Sequence, residues 1–102
     1  MDDEPQPDPR VQPSELFEMW REHQEVLIEA QTIHIDRTPE RGDLWLRDGR
    51  DKMVECAYDK VLRVQHGLNQ ALIFNEDDAL DAINYLVFAI RCNRRGRIRR
   101  EP

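Results

Sequence analysis

Apolar residues recur along this chain at the three-to-four-residue spacing of helices, and no segment pair alternates as paired strands do. The first helix is predicted to begin at Ser14, because Pro13-Ser14-Glu15 supplies an N-cap hydroxyl and an acid in the first turn. It is expected to run to about Asp36. Its apolar positions are Leu16, Phe17, Trp20, Leu27, Ile28 and Ile35.

The stretch after this helix predicts a connection and not a strand. Pro39 disfavours helical backbone at the residue before it, and Gly42 permits a turn. A short apolar segment follows at 44–46, and Asp48-Gly49 predicts a second break in helical structure.

Two further helices are predicted after this break. The second runs from about 50 to 66, with Gly67 well placed to end it, and 68–74 is interpreted as an extension or a further turn of helix. The third begins at Asn75, a capping side chain followed by three acids, and runs to about Cys92. Its own apolar residues lie on almost every side of the helix, so we predict that it is the most buried element. These residues are Leu80, Ile83, Leu86, Val87, Ala89 and Ile90.

These segments predict an all-α fold of three long helices plus short connecting helical segments, arranged as an antiparallel bundle. Residues 1–13 are acidic and Pro-rich, which predicts a disordered lead-in, and 93–102 predict a mobile, Arg-rich basic tail. The helical domain is then 14–92. A core of roughly eighty residues buries only about 60% of its unfolded surface, so we expect dimerisation to complete the bundle.

Composition and charge narrow the classes of function. Charged residues make up 35% of the chain, no apolar run approaches the ~18 residues of a membrane span, and no signal peptide is apparent, so we expect a cytoplasmic protein. The net charge of −6 disfavours nucleic-acid binding by the body, although the basic tail can reach phosphate or clamp an acidic surface. Cys56 and Cys92 have no C-x-x-C spacing, so we interpret them as reduced cysteines that only fill space between the helices.

A polar strip runs along the third predicted helix. At about 100° per residue, the strip contains Asp77, Asp81, Asn84, Phe88 and Arg91. A carboxylate in an apolar interior is unfavourable unless it is paired, hydrogen-bonded or bound to a cation, so this strip should have a partner.

Two interpretations of the strip stand side by side. Asp51, Glu55 and Asp59 are spaced by four on the second helix, and if they face the strip, Glu55, Asp77 and Asp81 would attract Mg²⁺. In the second interpretation, the acids at the helix start favour its dipole, those of the second helix are solvated, and Asp81 pairs with an arginine, Arg63 or Arg91. Asn84 favours a specific role for the strip, since a buried amide usually forms hydrogen bonds to a particular partner.

Other candidate residues are less specific. Lys60 and Arg63 lie one helical turn apart and can meet phosphate oxygens, although solvated charges are the simpler interpretation. Trp45 and Trp20 are interpreted as core or interface aromatics, with base stacking as the alternative. The three histidines share no ligand spacing, and no glycine-rich phosphate loop, nucleophile elbow or zinc motif occurs.

The same residues carry a family resemblance. The segments 41–45 (RGDLW), 60–63 (KVLR) and 77–85 (DDALDAINY) resemble the all-α nucleotide pyrophosphohydrolases of the MazG type, especially small phage-encoded, nucleotide-modification-associated members. The resemblance covers about 33–90. It implies a helical dimer or tetramer in which acids from two helices hold magnesium, and the metal orients a nucleoside triphosphate for release of pyrophosphate.

The resemblance also implies roles for individual residues. Asp78 and Asp81 match the family's E-x-x-D pair, with Asp77 as an alternative first member, and Glu55 is the surviving part of the E-E-x-x-E motif. Arg41 replaces the usual tyrosine, and the second-helix acids are spaced by four instead of three. The implied metal ligands are Glu55, Asp77, Asp78 and Asp81, and the implied substrate-binding residues are Lys60, Arg63, Asn84 and Trp45.

Two functions are therefore expected from the sequence. The first is a MazG-like nucleotide-binding protein, either a magnesium-dependent nucleoside triphosphate pyrophosphohydrolase or a degenerate relative that keeps the fold. The alternative is a non-enzymatic phage or bacterial helical protein that binds a host protein through its helix faces and charged ends.

Overall fold

The computed structural model describes residues 13–42 and 44–99, which form four helices and no strand. They are α1 (Pro13–Arg41), α2 (Leu44–Asp48), α3 (Arg50–Ala71) and α4 (Glu76–Arg94). The predicted all-α class is confirmed for this part of the chain. The predicted lead-in lies outside the described residues, apart from Pro13, which begins α1.

The first helix is longer than predicted, because it continues through Pro39 to Arg41. The prediction that Pro39 ends the helix was wrong. Proline lacks an N–H, but here it sits in the last turn, where the Gly42 N–H still bonds to the Thr38 carbonyl at 2.7 Å. The Thr38 hydroxyl also donates to the His34 carbonyl at 2.8 Å, so only the backbone bond that Pro39 itself cannot donate is lost from this turn.

Gly67 does not end α3, contrary to the prediction; the helix extends to Ala71, and Leu72 ends it in the left-handed conformation with φ of 55°. The chain then turns back, and the Ile73 N–H bonds to the Gly67 carbonyl at 3.2 Å. A Cβ at position 67 would lie 2.9 Å from the Ile73 oxygen, so glycine allows this close approach.

The start of α4 is as predicted. Asn75 has extended backbone angles, and its side chain accepts a hydrogen bond from the Asp78 N–H at 3.2 Å. Three acids follow in the first turn, where they interact favourably with the helix dipole.

The buried core lies where α2 meets the hairpin of α3 and α4. Trp45, Met53, Ala89 and Cys92 form its centre. The Cys92 thiol donates to the Trp45 carbonyl at 3.4 Å, which ties α2 to α4. Leu46, Cys56, Tyr85 and Phe88 pack against this cluster while partly buried.

The prediction that α4 is the most buried element is confirmed for the described residues. It contributes buried Leu80, Asp81, Ala82, Ala89 and Cys92, more than any other helix in the described part of the chain. On its outer face, however, Leu86, Val87 and Ile90 remain 48%, 43% and 51% exposed. The described residues therefore leave one apolar side of this helix uncovered.

Residues 95–99 fold back against the start of α3, whereas the sequence predicted a mobile tail over 93–102, of which 100–102 lie outside the described residues. The helix continues to Arg94, and the chain then folds back so that the carbonyls of Arg97 and Ile98 accept from the N–H groups of Arg50 and Asp51 at 2.8 and 3.0 Å. Those N–H groups begin α3 and have no partner within the helix. Residues 95–99 thus cap α3.

Among the helices of residues 13–42 and 44–99, none combines the length and the hydropathy that crossing a bilayer requires.

Candidate functional site

A pocket of about 320 Å³ opens between the second half of α1, α2 and the facing sides of α3 and α4. We call it the Trp45 pocket. Its walls are mainly apolar and aromatic, with a few polar groups on the α1 and α4 sides. The lining residues are Ile33, His34, Arg37, Thr38, Gly42, Trp45, Asp48, Met53, Cys56, Asp81, Asn84, Tyr85 and Phe88.

Aromatic rings form one wall of the Trp45 pocket. Phe88 stacks on Trp45 with ring centroids 5.2 Å apart, and His34 and Tyr85 meet Phe88 edge-on at 4.7 and 6.2 Å. The Arg91 guanidinium lies 4.3 Å from the Trp45 ring centroid. Trp45 is only 9% exposed, so it supports this wall from the core. The ring surface that remains open comes from His34, Tyr85 and Phe88.

Asp81 is the charged residue that faces this wall, and it is buried, with a side chain 11% exposed. Arg37 of α1 donates to Oδ1 at 3.0 Å, and Lys60 of α3 lies 3.1 Å from Oδ2. Lys60 also donates to Asp78 at 3.4 Å, and Arg63 lies 3.9 Å from the same carboxylate. Three cations thus meet two carboxylates beside the pocket, and the pocket wall also holds Asp48.

Asn84, predicted to hold something specific, holds the backbone of α1. Its Nδ2 donates to the Ala30 carbonyl at 2.8 Å, where α1 packs most closely on α4. That bond uses one of the two N–H groups of the amide, so the Oδ1 acceptor and the second N–H remain for a ligand in the pocket.

The remaining predicted metal ligands lie elsewhere. The Glu55 side chain is 70% exposed and lies 3.6 Å from Lys52, and Asp77 is exposed at the start of α4. Across residues 13–42 and 44–99, no three His, Cys, Asp or Glu side chains come together as a metal site requires. The structure therefore gathers Asp78, Asp81, Lys60, Arg63 and, at the other wall, Asn84 and Trp45, but it does not add Glu55 or Asp77 to them.

Arg37 is the site residue that sequence reasoning missed, whereas His34 was considered near Trp45 and interpreted as a packed or exposed histidine. Arg37 lies 44 positions before Asp81, and in the second interpretation of the strip Asp81 was expected to pair with Arg63 or Arg91. The available signal was weak. Arg37 continues the helical face of Ala30 and Ile33, but this becomes visible only if α1 extends beyond Asp36.

Two titratable groups line the pocket with shifted pKa values. Burial, assisted by the nearby Arg91 charge, lowers the pKa of His34 from its ordinary value of 6.5. Burial raises the pKa of the Cys56 thiol, against a smaller opposing effect of Lys52. At neutral pH the pocket therefore presents an uncharged imidazole and a protonated thiol, which is a poor nucleophile.

Comparison with known proteins adds no relative, since no family model, no curated protein and no solved structure matches this chain.

Proposed function

We propose that this chain is a MazG-like protein that binds a nucleotide in the Trp45 pocket and works as a homo-oligomer. One observation carries the proposal: a ring-lined pocket lies directly beside a network of three cations and two carboxylates. An aromatic base needs the first environment, and a phosphate group needs the second.

The dimensions and chemistry of the pocket suit this ligand class. Small-molecule pockets are typically about 300–1,000 Å³ with mostly apolar walls and a few placed polar groups. His34, Tyr85 and Phe88 offer ring surface, and Asn84 Oδ1 offers an acceptor to an exocyclic amine. Arg37 lines the pocket and Lys60 lies behind it on Asp81, and these two cations support binding of phosphate oxygens.

Magnesium does not fit the donor set of the described residues. Asp78 and Asp81 already share Lys60, and an ammonium at 3.1–3.4 Å from both stands where a cation between them would sit. Glu55, the third implied ligand, pairs with Lys52. Binding, without a metal-dependent step, is therefore the function that the geometry supports best, and the magnesium-dependent reaction stays a prediction.

Uncovered apolar surface supports the oligomer. Besides the outer face of α4, α3 exposes Val54, Tyr58, Val61 and Leu62, and the first half of α1 exposes Leu16, Met19, Trp20, Val26 and Leu27. The radius of gyration of 17.1 Å exceeds the ~13 Å of a compact domain of about 100 residues. A second copy that covers these faces would complete an antiparallel bundle.

The binding experiment is thermal unfolding with a panel of nucleoside mono-, di- and triphosphates, with and without Mg²⁺. A nucleotide at about 100 times its Kd should add about 2.7 kcal/mol to the unfolding free energy. Arg37→Gln should weaken the affinity about tenfold, whereas Arg21→Gln, an exposed arginine of the same helix, should leave it unchanged. Folded protein that no nucleotide stabilises would contradict the proposal.

Sedimentation tests the oligomer separately. The double variant Leu86→Lys, Ile90→Lys should shift the protein to monomer, and Gln24→Lys on α1 serves as the control for added charge. A second candidate function, a helical protein that binds a host protein, is favoured by the same uncovered faces. A wild-type chain that stays monomeric and binds no nucleotide would support that candidate instead.

A further inference from the structure

Arginines collect at one end of the molecule, where α2, the start of α3 and the end of α4 meet. We call this surface the basic face, and define it by residues 44–51 and 91–99. These two segments contain seven arginines and two acids, Asp48 and Asp51. The arginines are Arg47, Arg50, Arg91, Arg94, Arg95, Arg97 and Arg99.

The basic face is built by backbone contacts and is not a loose tail. The chain turns at Gly96, with φ of 73°, and the Arg97 N–H returns to the Cys92 carbonyl at 2.8 Å. The carbonyls of Arg97 and the following residue then cap α3, as described above. Gly49, buried with φ of 89°, lets the backbone of Arg99 approach closely, since a Cβ there would lie 2.9 Å from the Arg99 carbonyl carbon.

The acids near this face are too few to neutralise it. Asp51 is shared by Arg50 and Arg99 at 3.0 and 3.9 Å, while the Arg99 side chain stays 86% exposed. Arg94 and Arg95 are exposed on the last turn of α4 and just after it. The remainder of the chain is acidic, so the face stands out as the positive end of a negative molecule.

We infer that the basic face binds the phosphodiester backbone of a nucleic acid. Several guanidinium groups fixed on one side match the repeated charges of such a backbone, and each phosphate that they neutralise releases counterions. Trp45 is buried in the core and the exposed charged groups of the face are mainly arginines, so contacts to phosphate, without base reading, are what the face offers. Trp45 and Asp48 fall within the face and also line the Trp45 pocket, but this inference does not depend on the proposed nucleotide.

The test measures fluorescence anisotropy of the full chain with a labelled single strand and with the matching duplex, between about 50 and 200 mM salt. We expect binding that weakens steeply with salt, with a slope of about −3 for contact with three to four phosphates. The double variant Arg47→Glu, Arg94→Glu should weaken binding at least tenfold. The matched control is Arg21→Glu, a charge reversal on the exposed surface of α1.

Circular dichroism and the thermal midpoint establish that each variant is folded before binding is compared. The arms with single strand and duplex show which form of nucleic acid the face prefers, and preferential binding to either supports the inference. Absence of binding at low salt, or equal loss in the Arg21→Glu control, would overturn it. Equally tight binding to a labelled polyglutamate peptide would overturn it too, since the face would then select acidic protein and not phosphate.

Discussion

The Lys60 ammonium lies 3.1 Å from Oδ2 of Asp81, so a side chain of the neighbouring helix satisfies the carboxylate at the centre of the candidate site. Arg37 of α1 satisfies the other oxygen at 3.0 Å. Asp81 therefore connects three helices, α1, α3 and α4, through two ion pairs with a side chain that is 11% exposed. A residue in this position contributes to stability as well as to the charge beside the pocket.

Replacing Asp81 should be costly because Arg37 loses its ion pair and Lys60 keeps only Asp78. Breaking a buried ion pair typically costs about 3–5 kcal/mol, but Lys60 and Arg37 are 21% and 45% exposed and regain water. We therefore expect Asp81→Ala to lower the free energy of unfolding by roughly 1–3 kcal/mol. Urea unfolding at a fixed protein concentration measures the change.

Glu55→Ala is the matched control for the Asp81 variant. Its side chain is 70% exposed and pairs only across one turn with Lys52, so the loss should be within about 0.5 kcal/mol. Equal losses in the two variants would show that the Asp81 ion pairs contribute nothing beyond those of a surface pair.

The Asn84 side chain is the second polar tie between α4 and α1. Its bond to the Ala30 carbonyl, 2.8 Å long, lies where α1 packs on α4, and Asn84→Ala should lower stability by about 1 kcal/mol. The loss should be local: amide hydrogen exchange should accelerate in α1 more than in α3. Uniform acceleration across all helices would mean that Asn84 supports the whole fold and not the α1 contact.

Local signals in the sequence predicted the helix starts better than the helix ends. Asn75 and its three acids fix the start of α4 by short-range hydrogen bonds and charge, so the pattern was sufficient there. Pro39 and Gly67 were misread because each is also compatible with a helix: Pro39 falls in a final turn, and Gly67 is required by the returning Ile73.

The polar site shows the same division between local and distant information. The polar strip follows from helical periodicity, and four of its five residues are buried or half-buried in the structure, while Asp77 is exposed. Their partners do not follow from it. Arg37 meets Asp81 across 44 residues of chain, a contact that depends on how α1 packs and that no local spacing encodes.

Packing of the basic segment against Gly49 gives a third prediction. Gly49→Ala combines strain at φ of 89° with a Cβ only 2.9 Å from the Arg99 backbone, so residues 97–99 should detach from the start of α3. We expect a loss of about 2 kcal/mol or more and faster trypsin cleavage after the arginines of 94–99. Limited trypsin digestion, followed by mass spectrometry, locates the cuts.

Gly96→Ala provides the control for backbone strain without the close contact. Its φ of 73° is also unfavourable for alanine, but a Cβ there would have open space. The expected loss is about 1 kcal/mol, with cleavage slower than in the Gly49 variant. The reverse order would mean that the turn at Gly96, and not the approach to Gly49, holds the segment.

The fourth prediction is a pH dependence of stability that comes from His34. Burial lowers its pKa in the folded protein below the ordinary value of 6.5, so below pH 6.5 the unfolded chain takes up the proton first. Stability should therefore fall as pH falls through 6.5, level off below the folded pKa, and be unaffected by this group well above 6.5. Urea unfolding of the wild type and of His34→Gln across this range, at one protein concentration, isolates the contribution. The variant should lose this acid-side decline, whereas His23→Gln, an exposed histidine of the same helix, should retain it. An identical decline in the wild type and in His34→Gln would show that protonation of His34 does not oppose folding.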